Sequence, residues 1–405
     1  MPFEMVEGEN VREFHNNQSR KKAVIAACYG SYFFHERIEY IYHSLCNCGC
    51  DTMVLMSDYD HLTKKRISDG AYPEYVHFVP TKPYRKNVSV SRIFSHLYFS
   101  YRLYHMLCEE RPDVVYYLAP PNSVAYSVSL YKKQNPSSCI ITDVMDLWPE
   151  GFPIPHFNSK FNIFAWIMKE LRKRGLVVSD GAVLECSLYE KKLSQILPQN
   201  RRVIHLPARE LERDPFDNAN SDSLNIAYIG QVSKLIDIDK VIDILSILMK
   251  RYSVAIYVIG AGCNYENFIC RLRNTVTEVH DYGAVYDVRE ISHIFSKCHY
   301  GLNIMKDSVQ VGLTMKSMTY IGLNIPLINN IKHDTWELIE KYQAGYNIES
   351  ISQWCEIVMS PDNDLQKNSV RMSGSVLKMK GENLDTNAIQ KAFNRYIFEI
   401  VDKDC

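Results

Sequence analysis

Polar side chains crowd the end of an apolar run in the stretch DVMDLWPE, Asp143 to Glu150. A buried strand does not need such a cluster for packing, so we predict that the cluster faces a ligand. The carboxylates of Asp143 and Asp146 can each accept hydrogen bonds from two neighbouring hydroxyls, which suits a carbohydrate. In the alternative interpretation Asp146 caps the following turn, Trp148 packs the loop rather than stacking on a sugar, and Glu150 caps the next segment.

Glycine turns end several other apolar runs. Gly30 and Ser31 follow the run 23–28, and a glycine at this point lets backbone amides approach a phosphate or a sugar, unless it makes only a tight turn. Gly230 ends the run LNIAYIG, and Gly260 ends the run SVAIYVIG. These turns are therefore further candidates for ligand binding.

The turns belong to a strand–turn–helix pattern that repeats along the chain. Short apolar runs typical of buried parallel strands occur at 23–28, 52–57, 113–118, 180–187 and 201–208, and in the CIIT segment before Asp143. After residue 222 the pattern restarts with LNIAYIG, SVAIYVIG, VHDYGAV, HYGLNIM and IPLIN. Alternation of this kind predicts an α/β protein with two Rossmann-like, doubly wound parallel sheets.

The predicted domains are residues 1–208 and 223–384, joined by a polar, turn-rich linker over 209–222. A last helix is predicted over 385–402, and it can pack back on the first domain. Its apolar residues fall on one face: Ile389, Phe393, Tyr396, Ile397 and Ile400. Since parallel sheets bind ligands outside the carboxyl ends of their strands, we expect the site in the cleft between the domains.

The composition is that of an ordinary globular protein, with 405 residues, 46% hydrophobic and 23% charged, and a net charge of -1. This charge gives no global electrostatic reason to expect a nucleic-acid partner. The N-terminus lacks the apolar core of a secretory signal, so we expect a cytoplasmic protein with reduced thiols. The CNCGC stretch has no C-x-x-C spacing, and we interpret it as a helix end capped by Gly49 rather than a metal site.

Four segments in order resemble glycosyltransferases of family four: DVVYYLAPPNSVAYSVSLYKK with CIITDVMDLWPE, then AYIGQVSKLIDIDKVIDI, YVIGAG and VQVGLTMKSMTYIGLNIPLI. The resemblance covers most of residues 22–350. It implies a GT-B fold, with an acceptor domain followed by a nucleotide-sugar domain, and transfer of a sugar with retention from a donor, most simply a UDP-sugar. It implies no required metal or other cofactor. Similar enzymes with a D-L-W-P-E stretch build bacterial surface polysaccharides, such as capsule, on saccharide or lipid-linked acceptors at the inner face of the plasma membrane.

The resemblance also implies roles for individual residues. Catalytic roles fall to Asp143, Asp146 and Lys316. Acceptor-side roles fall to Gly30, Ser31, Trp148 and Glu150. Donor-side roles fall to Gly230, Gln231, Lys234, Gly260, Gly312, Thr314 and Thr319.

Lys316 has the clearest chemical reason among these residues. It follows a glycine turn at a predicted helix start, where backbone amides and one ammonium suit a diphosphate. Developing charge on a leaving diphosphate must be stabilised during transfer. Lys234 is a weaker candidate, because a plain surface lysine explains it equally well.

The segment around Lys316 departs from the family pattern. Many members carry two glutamates separated by seven residues here, whereas this chain has Val311 and Thr319, and the nearest acid is Asp307. Thr319 or backbone groups would then hold the ribose. The departure motivates a rival hypothesis, a non-catalytic partner that keeps the fold. A sugar-nucleotide 2-epimerase is a second rival, which would need acid–base carboxylates and histidines in the donor cleft.

Two stretches of the first domain join aromatic residues to basic ones. FNSKFNIFAWIMKELRKRG ends with Arg172, Lys173 and Arg174, and YRKNVSVSRIFSHLYFSYRLYHML begins with Arg85 and Lys86. Either stretch suits peripheral contact with an anionic membrane. The alternative interpretation, that both are buried helices with a solvated, charged end, is the simpler one.

Overall fold

The computed structural model describes residues 20–29, 32–61, 63–67, 72–87, 89–150, 159–208, 211 and 222–402, without the side chains of residues 32–35 and 159–161. Two parallel sheets, of seven and six strands, organise these residues, with helices on their faces. The predicted fold class, an α/β protein with two doubly wound parallel sheets, is confirmed. Most of the predicted linker, 209–222, and the turn at Gly30 and Ser31 lie outside the described residues.

The first sheet is built from the N-terminal half of the chain. Its strands are β1 (Lys22–Ala27), β2 (Asp51–Ser57), β3 (Val76–Val79), β4 (Val114–Ala119), β5 (Cys139–Val144), β6 (Gly181–Leu184) and β7 (Arg201–Val203). Their order in the sheet is β3-β2-β1-β4-β5-β6-β7. The helices of this half are α1 (Tyr32–Asn47), α2 (Val90–Glu110), α3 (Asn122–Gln134), α4 (Ser159–Val178) and α5 (Ser187–Leu193).

The second sheet repeats the same strand order. Its strands are β8 (Leu224–Gln231), β9 (Val254–Ala261), β10 (Glu278–Asp281), β11 (Tyr300–Asn303), β12 (Leu327–Asn329) and β13 (Gly345–Asn347), in the order β10-β9-β8-β11-β12-β13. The helices are α6 (Ile238–Leu248), α7 (Tyr265–Arg273), α8 (Val288–Phe295), α9 (Met315–Gly322), α10 (Asp334–Tyr342), α11 (Ile351–Met359), α12 (Leu365–Asn383) and α13 (Thr386–Val401). Each sheet therefore reverses its strand order at one point, beside β1 and beside β8, and such points are where open α/β sheets bind ligands.

The apolar runs named above become strands because both faces of each central strand are covered. Strands β4 and β5 are buried at every residue, as parallel strands between two helical layers must be. The edge strands β3 and β13 were not expected from the sequence. They have three or four residues and half-exposed side chains, so they lack the continuous apolar run of a central strand.

Helices cover both faces of the first sheet. Side chains of α2 and α3 pack on one face, and those of α1 and α13 pack on the other. The Tyr396 hydroxyl in α13 donates to the carbonyl of Ala182 at 2.9 Å, and Lys21 donates to the carbonyl of Val401 at 2.8 Å. The end of the chain thus completes the core of the N-terminal half, and it ties together the two halves that form the cleft.

Candidate active site

Asp143 ends β5 with a carboxylate that is completely buried. Arg37 of α1 donates to both of its oxygens, at 2.8 and 2.9 Å, and the Tyr116 hydroxyl donates to it at 2.7 Å. The predicted contact of Asp143 with sugar hydroxyls does not fit this arrangement, because both oxygens are occupied and no part of the side chain reaches solvent. Instead, Asp143 fastens α1 to the carboxyl edge of the sheet.

Asp146, three residues further on, has the opposite character. Its side chain is exposed, and it begins the loop that follows β5. Dense protein around the carboxyl raises its pKa above the usual value for an aspartate, against the charges of Arg92 and Arg172. An exposed carboxylate at the end of a central strand is positioned to accept hydrogen bonds from ligand hydroxyls.

Trp148 and Glu150 hold this loop in place. The indole of Trp148 lies over the guanidinium of the buried Arg92, 5.0 Å from its central carbon to the ring centroid. Glu150 pairs with Arg172 of α4 through two bonds, of 2.7 and 2.9 Å. Burial would raise the pKa of Glu150, but the hydrogen bonds and charge of Arg172 hold it below its usual range. Both side chains therefore position the loop that carries Asp146, and contact with an acceptor stays a prediction for them.

Glu185 is a functional candidate that sequence reasoning missed. It directly follows β6, the strand that neighbours β5 in the sheet. Burial raises the pKa of its carboxyl to about 8, Arg37 opposes this, and the charges of Asp146, Asp143 and Asp334 add to it. At neutral pH the carboxyl is therefore mostly protonated and can donate a hydrogen bond. The signal that could have found it is a glutamate at the end of the apolar run GAVLE, the same pattern as Asp143 directly after CIIT.

On the donor side, the structure brings Lys316 and Gly230 together. Lys316 is the second residue of α9, and its side chain is buried. A Cβ at Gly230 would lie 3.2 Å from the Lys316 Cε, and Gly230 has a φ of 111°, where glycine is favoured. The ammonium donates to the Tyr228 hydroxyl at 2.8 Å, and burial lowers its pKa to about 7.

Other predicted donor-side residues surround this pair. Thr314 caps α9, with its hydroxyl accepting from the amide of Ser317 at 3.0 Å. Gly260 pairs with Gly230 across β9 and β8, and a Cβ there would lie 2.6 Å from the Gly230 carbonyl oxygen. The two glycines bring the ends of β8 and β9 close together beside the Lys316 side chain, which fits an anion at a helix N-terminus.

Three predicted donor-side residues lie further out. Gln231 and Lys234 are exposed, at the end of β8 and in the turn after it. The Thr319 hydroxyl donates to the Met315 carbonyl at 3.0 Å, one turn back in α9. Thr319 also lines a crevice between the two halves of the chain, and the other residues of its lining are Glu36, Pro207, Leu211, Tyr286, Val288, Ile291, Met315 and Met318.

The two halves meet beside the site through Asp334, the first residue of α10. Its carboxylate accepts from the amide of Ser187 at 2.7 Å and the Ser187 hydroxyl at 2.9 Å, and so caps α5 of the other half. Gly312 lies at the same contact, since a Cβ there would clash with the Asp334 carboxylate and with Cys186. His205 lies 3.9 Å from this carboxylate, and burial lowers the pKa of its imidazole despite the charge of Asp334.

Taken together, the residues around the cleft supply two different chemistries. The N-terminal half offers carboxyl groups, Asp146 and Glu185, at neighbouring strand ends. The C-terminal half offers Lys316 at a helix N-terminus beside Gly230. Among the described residues, no group of three or more His, Cys, Asp or Glu side chains is placed to hold a metal ion.

Comparison with known proteins identifies the architecture. No family model and no curated protein matches the sequence. Among solved structures, the sucrose-phosphate synthase of Thermosynechococcus elongatus matches 95% of this chain and 100% of its own, with a TM-score of 0.63 at 10% identity. The lipopolysaccharide outer core galactosyltransferase WaaB matches 93% and 99%, with a TM-score of 0.61 at 13% identity. Anabaena HepE, determined with UDP and glucose, matches 94% and 100%, with a TM-score of 0.61 at 11% identity.

At these identities the similarity establishes the fold. It extends over both sheets and nearly the whole chain, so the protein has the GT-B fold, two Rossmann-like domains that face a cleft. The predicted GT-B architecture is confirmed.

Proposed function

We propose that this protein is a glycosyltransferase that moves a sugar from a nucleotide-sugar donor to a saccharide or lipid-linked saccharide acceptor. The observation that carries the proposal is Lys316, a buried ammonium at the N-terminus of α9 that contacts Gly230 at the end of a neighbouring strand. A buried cation with backbone close by suits the diphosphate of a nucleotide-sugar. The GT-B fold of nucleotide-sugar enzymes such as HepE, determined with UDP-glucose, supports the same function.

The crevice beside α9 supplies a place for the nucleoside. Tyr286, Val288 and Met315 give it apolar walls, and Thr319 adds a hydroxyl at its edge. An aromatic ring and aliphatic side chains suit a base, whose faces are apolar. UDP-sugars are the proposed donors, with the ribose near Thr319 in the absence of a carboxylate there.

The proposed reaction retains the anomeric configuration. The bond between the sugar C1 and the diphosphate oxygen breaks, and the acceptor oxygen bonds to C1 on the same face. The acceptor proton passes to the departing diphosphate oxygen, so the chain itself need not supply a base. Lys316 in its charged form stabilises the negative charge on the diphosphate, and Asp146 orients an acceptor hydroxyl.

The biological setting is proposed on sequence resemblance. The D-L-W-P-E stretch ending at Glu150 suggests bacterial surface polysaccharide synthesis on the cytoplasmic side of the plasma membrane. The resemblance of the fold to WaaB, a lipopolysaccharide galactosyltransferase, is consistent with it.

Turnover tests this proposal against its main rival. The purified chain would be incubated with UDP-, GDP- and TDP-sugars and with saccharide and lipid-linked acceptors, and the anomeric configuration of the product read by NMR. Product with the donor configuration supports a retaining transferase, and inverted product overturns the retention. The rival, a non-catalytic partner, is favoured by the lack of a carboxylate at Thr319, and it predicts nucleotide-sugar binding without turnover.

A further inference from the structure

Two helices of the N-terminal domain expose large apolar side chains to solvent. On α2 these are Val90, Phe94, Leu97 and Tyr101, which follow one another at helical spacing on one face. On α4 they are Ile163, Trp166 and Ile167, again on one face, and Val177 near the end of the helix. Phe94 is 59% exposed and Trp166 is 66% exposed, so these faces are not the buried faces of ordinary surface helices.

The two faces adjoin each other. Helix α3 packs against both α2 and α4. A narrow crevice between α2 and α4 is lined by Ile93, His96 and Leu97 from one helix and by Phe164 and Met168 from the other. We call the combined surface of the exposed α2 and α4 residues the α2–α4 face.

The charge around the α2–α4 face is predominantly positive. Residues 75–108 contain no Asp or Glu, and their basic residues are Lys82, Arg85, Lys86, Arg92 and Arg102. All of these except Arg92 are exposed. In α4 the only acid is Glu170, next to Lys169 and followed by Lys173 and Arg174. A chain with a net charge of -1 thus concentrates positive charge beside its exposed apolar side chains.

We propose that the α2–α4 face docks on the surface of an anionic lipid bilayer. Its apolar side chains would enter the interface, and the basic residues beside them would contact lipid headgroups. No helix among the described residues is long and apolar enough to cross a membrane, so the proposed contact is peripheral. A second copy of this chain is the competing occupant, and vesicle binding together with the oligomeric state separates it from a bilayer.

The position of the face relates docking to the candidate active site. The crevice between α2 and α4 is also lined by Asn122 and by Trp148, which lies in the loop that carries Asp146. The Asn122 amide nitrogen donates to the Trp148 carbonyl at 2.9 Å, whereas its oxygen is buried without a partner. If the proposed function holds, docking brings a lipid-borne acceptor to the domain that carries Asp146. The docking itself does not rest on that function.

Vesicle sedimentation of the full chain tests the docking. Vesicles of phosphatidylcholine with about 30% phosphatidylglycerol, which gives them a negative surface, would be compared with vesicles of pure phosphatidylcholine. Binding is expected to the anionic vesicles and to fall steeply with added salt. The double variant Phe94→Ser/Trp166→Ser should bind at least about tenfold more weakly, because it removes two large apolar side chains from the interface. Arg85→Glu/Lys86→Glu should weaken binding by about tenfold or more, since each basic residue near an anionic surface contributes roughly fivefold.

The control pair is Leu377→Ser/Phe398→Ser, which removes similarly exposed apolar side chains from α12 and α13. It should bind like the wild type, and all variants should melt at the wild-type temperature. Lipids brominated in their acyl chains should quench the tryptophan fluorescence of the wild type through Trp166. They should not quench the fluorescence of the remaining tryptophans in Trp166→Phe. Absence of vesicle binding, or equal binding to neutral vesicles, would overturn the proposal. So would a wild-type dimer in solution that Phe94→Ser/Trp166→Ser converts to monomer, because the face would then be an interface between copies.

Discussion

The ammonium of Lys316 donates a hydrogen bond to the hydroxyl of Tyr228 at 2.8 Å, and it lies 4.0 Å from the centroid of the same ring. Among the described residues, no carboxylate charge counteracts the effect of burial on its pKa. A neutral phenol and a ring face stabilise a cation far less than a carboxylate does, so burial lowers the pKa of Lys316 to about 7. An anionic ligand would therefore supply the negative charge that Lys316 lacks as a partner among the described residues.

Binding of a nucleoside diphosphate should therefore take up a proton above pH 7. The free lysine is mostly neutral above its pKa of about 7, and the bound diphosphate should raise that pKa again. Calorimetric titration with UDP in buffers of different ionisation enthalpy should show uptake of nearly one proton at about pH 8 and little uptake at about pH 6, after correction for the ligand's own titration. Lys316→Met should remove this uptake at both values. Equal uptake in the wild type and in Lys316→Met would show that another group titrates.

Substitution of aspartate by asparagine should have different effects at Asp143 and Asp146: a loss of stability at the first and a loss of activity at the second. Asp143→Asn leaves Arg37 buried without a counter-charge, so we expect a loss of about 3–5 kcal/mol in the free energy of unfolding. Asp146→Asn changes an exposed side chain and should alter stability by less than about 0.5 kcal/mol. Its effect should appear in kcat, because Asp146 orients the acceptor hydroxyl in the proposed reaction. Urea unfolding and turnover of both variants check this, and a large stability loss in Asp146→Asn would contradict the division of roles.

Glu185 should make the protein less stable as the pH rises from about 4.5 to about 8. The pKa of its carboxyl is about 8 in the folded protein, against 4.5 when unperturbed, so in this window the folded state holds a proton that the unfolded state releases. Glu185→Gln removes the titrating carboxyl. Its free energy of unfolding should exceed that of the wild type by about 1–2 kcal/mol near pH 8, with no difference near pH 4. Melting temperatures of both proteins across this range measure the difference. A gain that is independent of pH would mean that the carboxyl does not titrate in this way.

Asp334 should couple the unfolding of the two domains. Asp334→Ala removes the cap of α5 across the cleft, at a cost of about 1–2 kcal/mol. Because this contact joins the domains, the urea transition should also broaden and its m-value should fall. Asp364→Ala is the matched control: Asp364 caps α12 within one segment, accepting from Gln366 at 3.1 Å and Lys367 at 3.2 Å. It should lower the midpoint with an unchanged m-value, and an equal loss of cooperativity in both variants would show that Asp334 has no special coupling role.

The sequence predicted best those features of the fold that impose a local pattern on the chain. The central strands were predictable because parallel strands with both faces buried need continuous apolar runs, as in Val114–Ala119. Lys316 and Gly230 were predicted from separate motifs, and their contact follows from the way that strand ends and helix starts converge at one edge of a sheet.

What could not be predicted depends on contacts between distant residues. Asp143 and Asp146 look alike in the sequence, and only the position of Arg37, more than a hundred residues away, separates a buried ion pair from an exposed carboxylate. Glu185 was missed because its raised pKa depends first on burial in the folded protein, and then on the charges of Asp146, Asp143 and Asp334, which are distant in the sequence. The exposure of Phe94 and Trp166 was also open, since an aromatic stripe at helical spacing is equally typical of a core.

The central claim, that Lys316 holds the diphosphate of a nucleotide-sugar, is tested most directly by thermal shift of the wild type and Lys316→Ala against UDP-, GDP- and TDP-sugars. At about 100 times its dissociation constant, a bound donor should add roughly 2.7 kcal/mol to the free energy of unfolding. We expect a rise in melting temperature with one nucleotide class, UDP-sugars, and its loss in Lys316→Ala. No shift with any donor, or the same shift in Lys316→Ala, would contradict the claim.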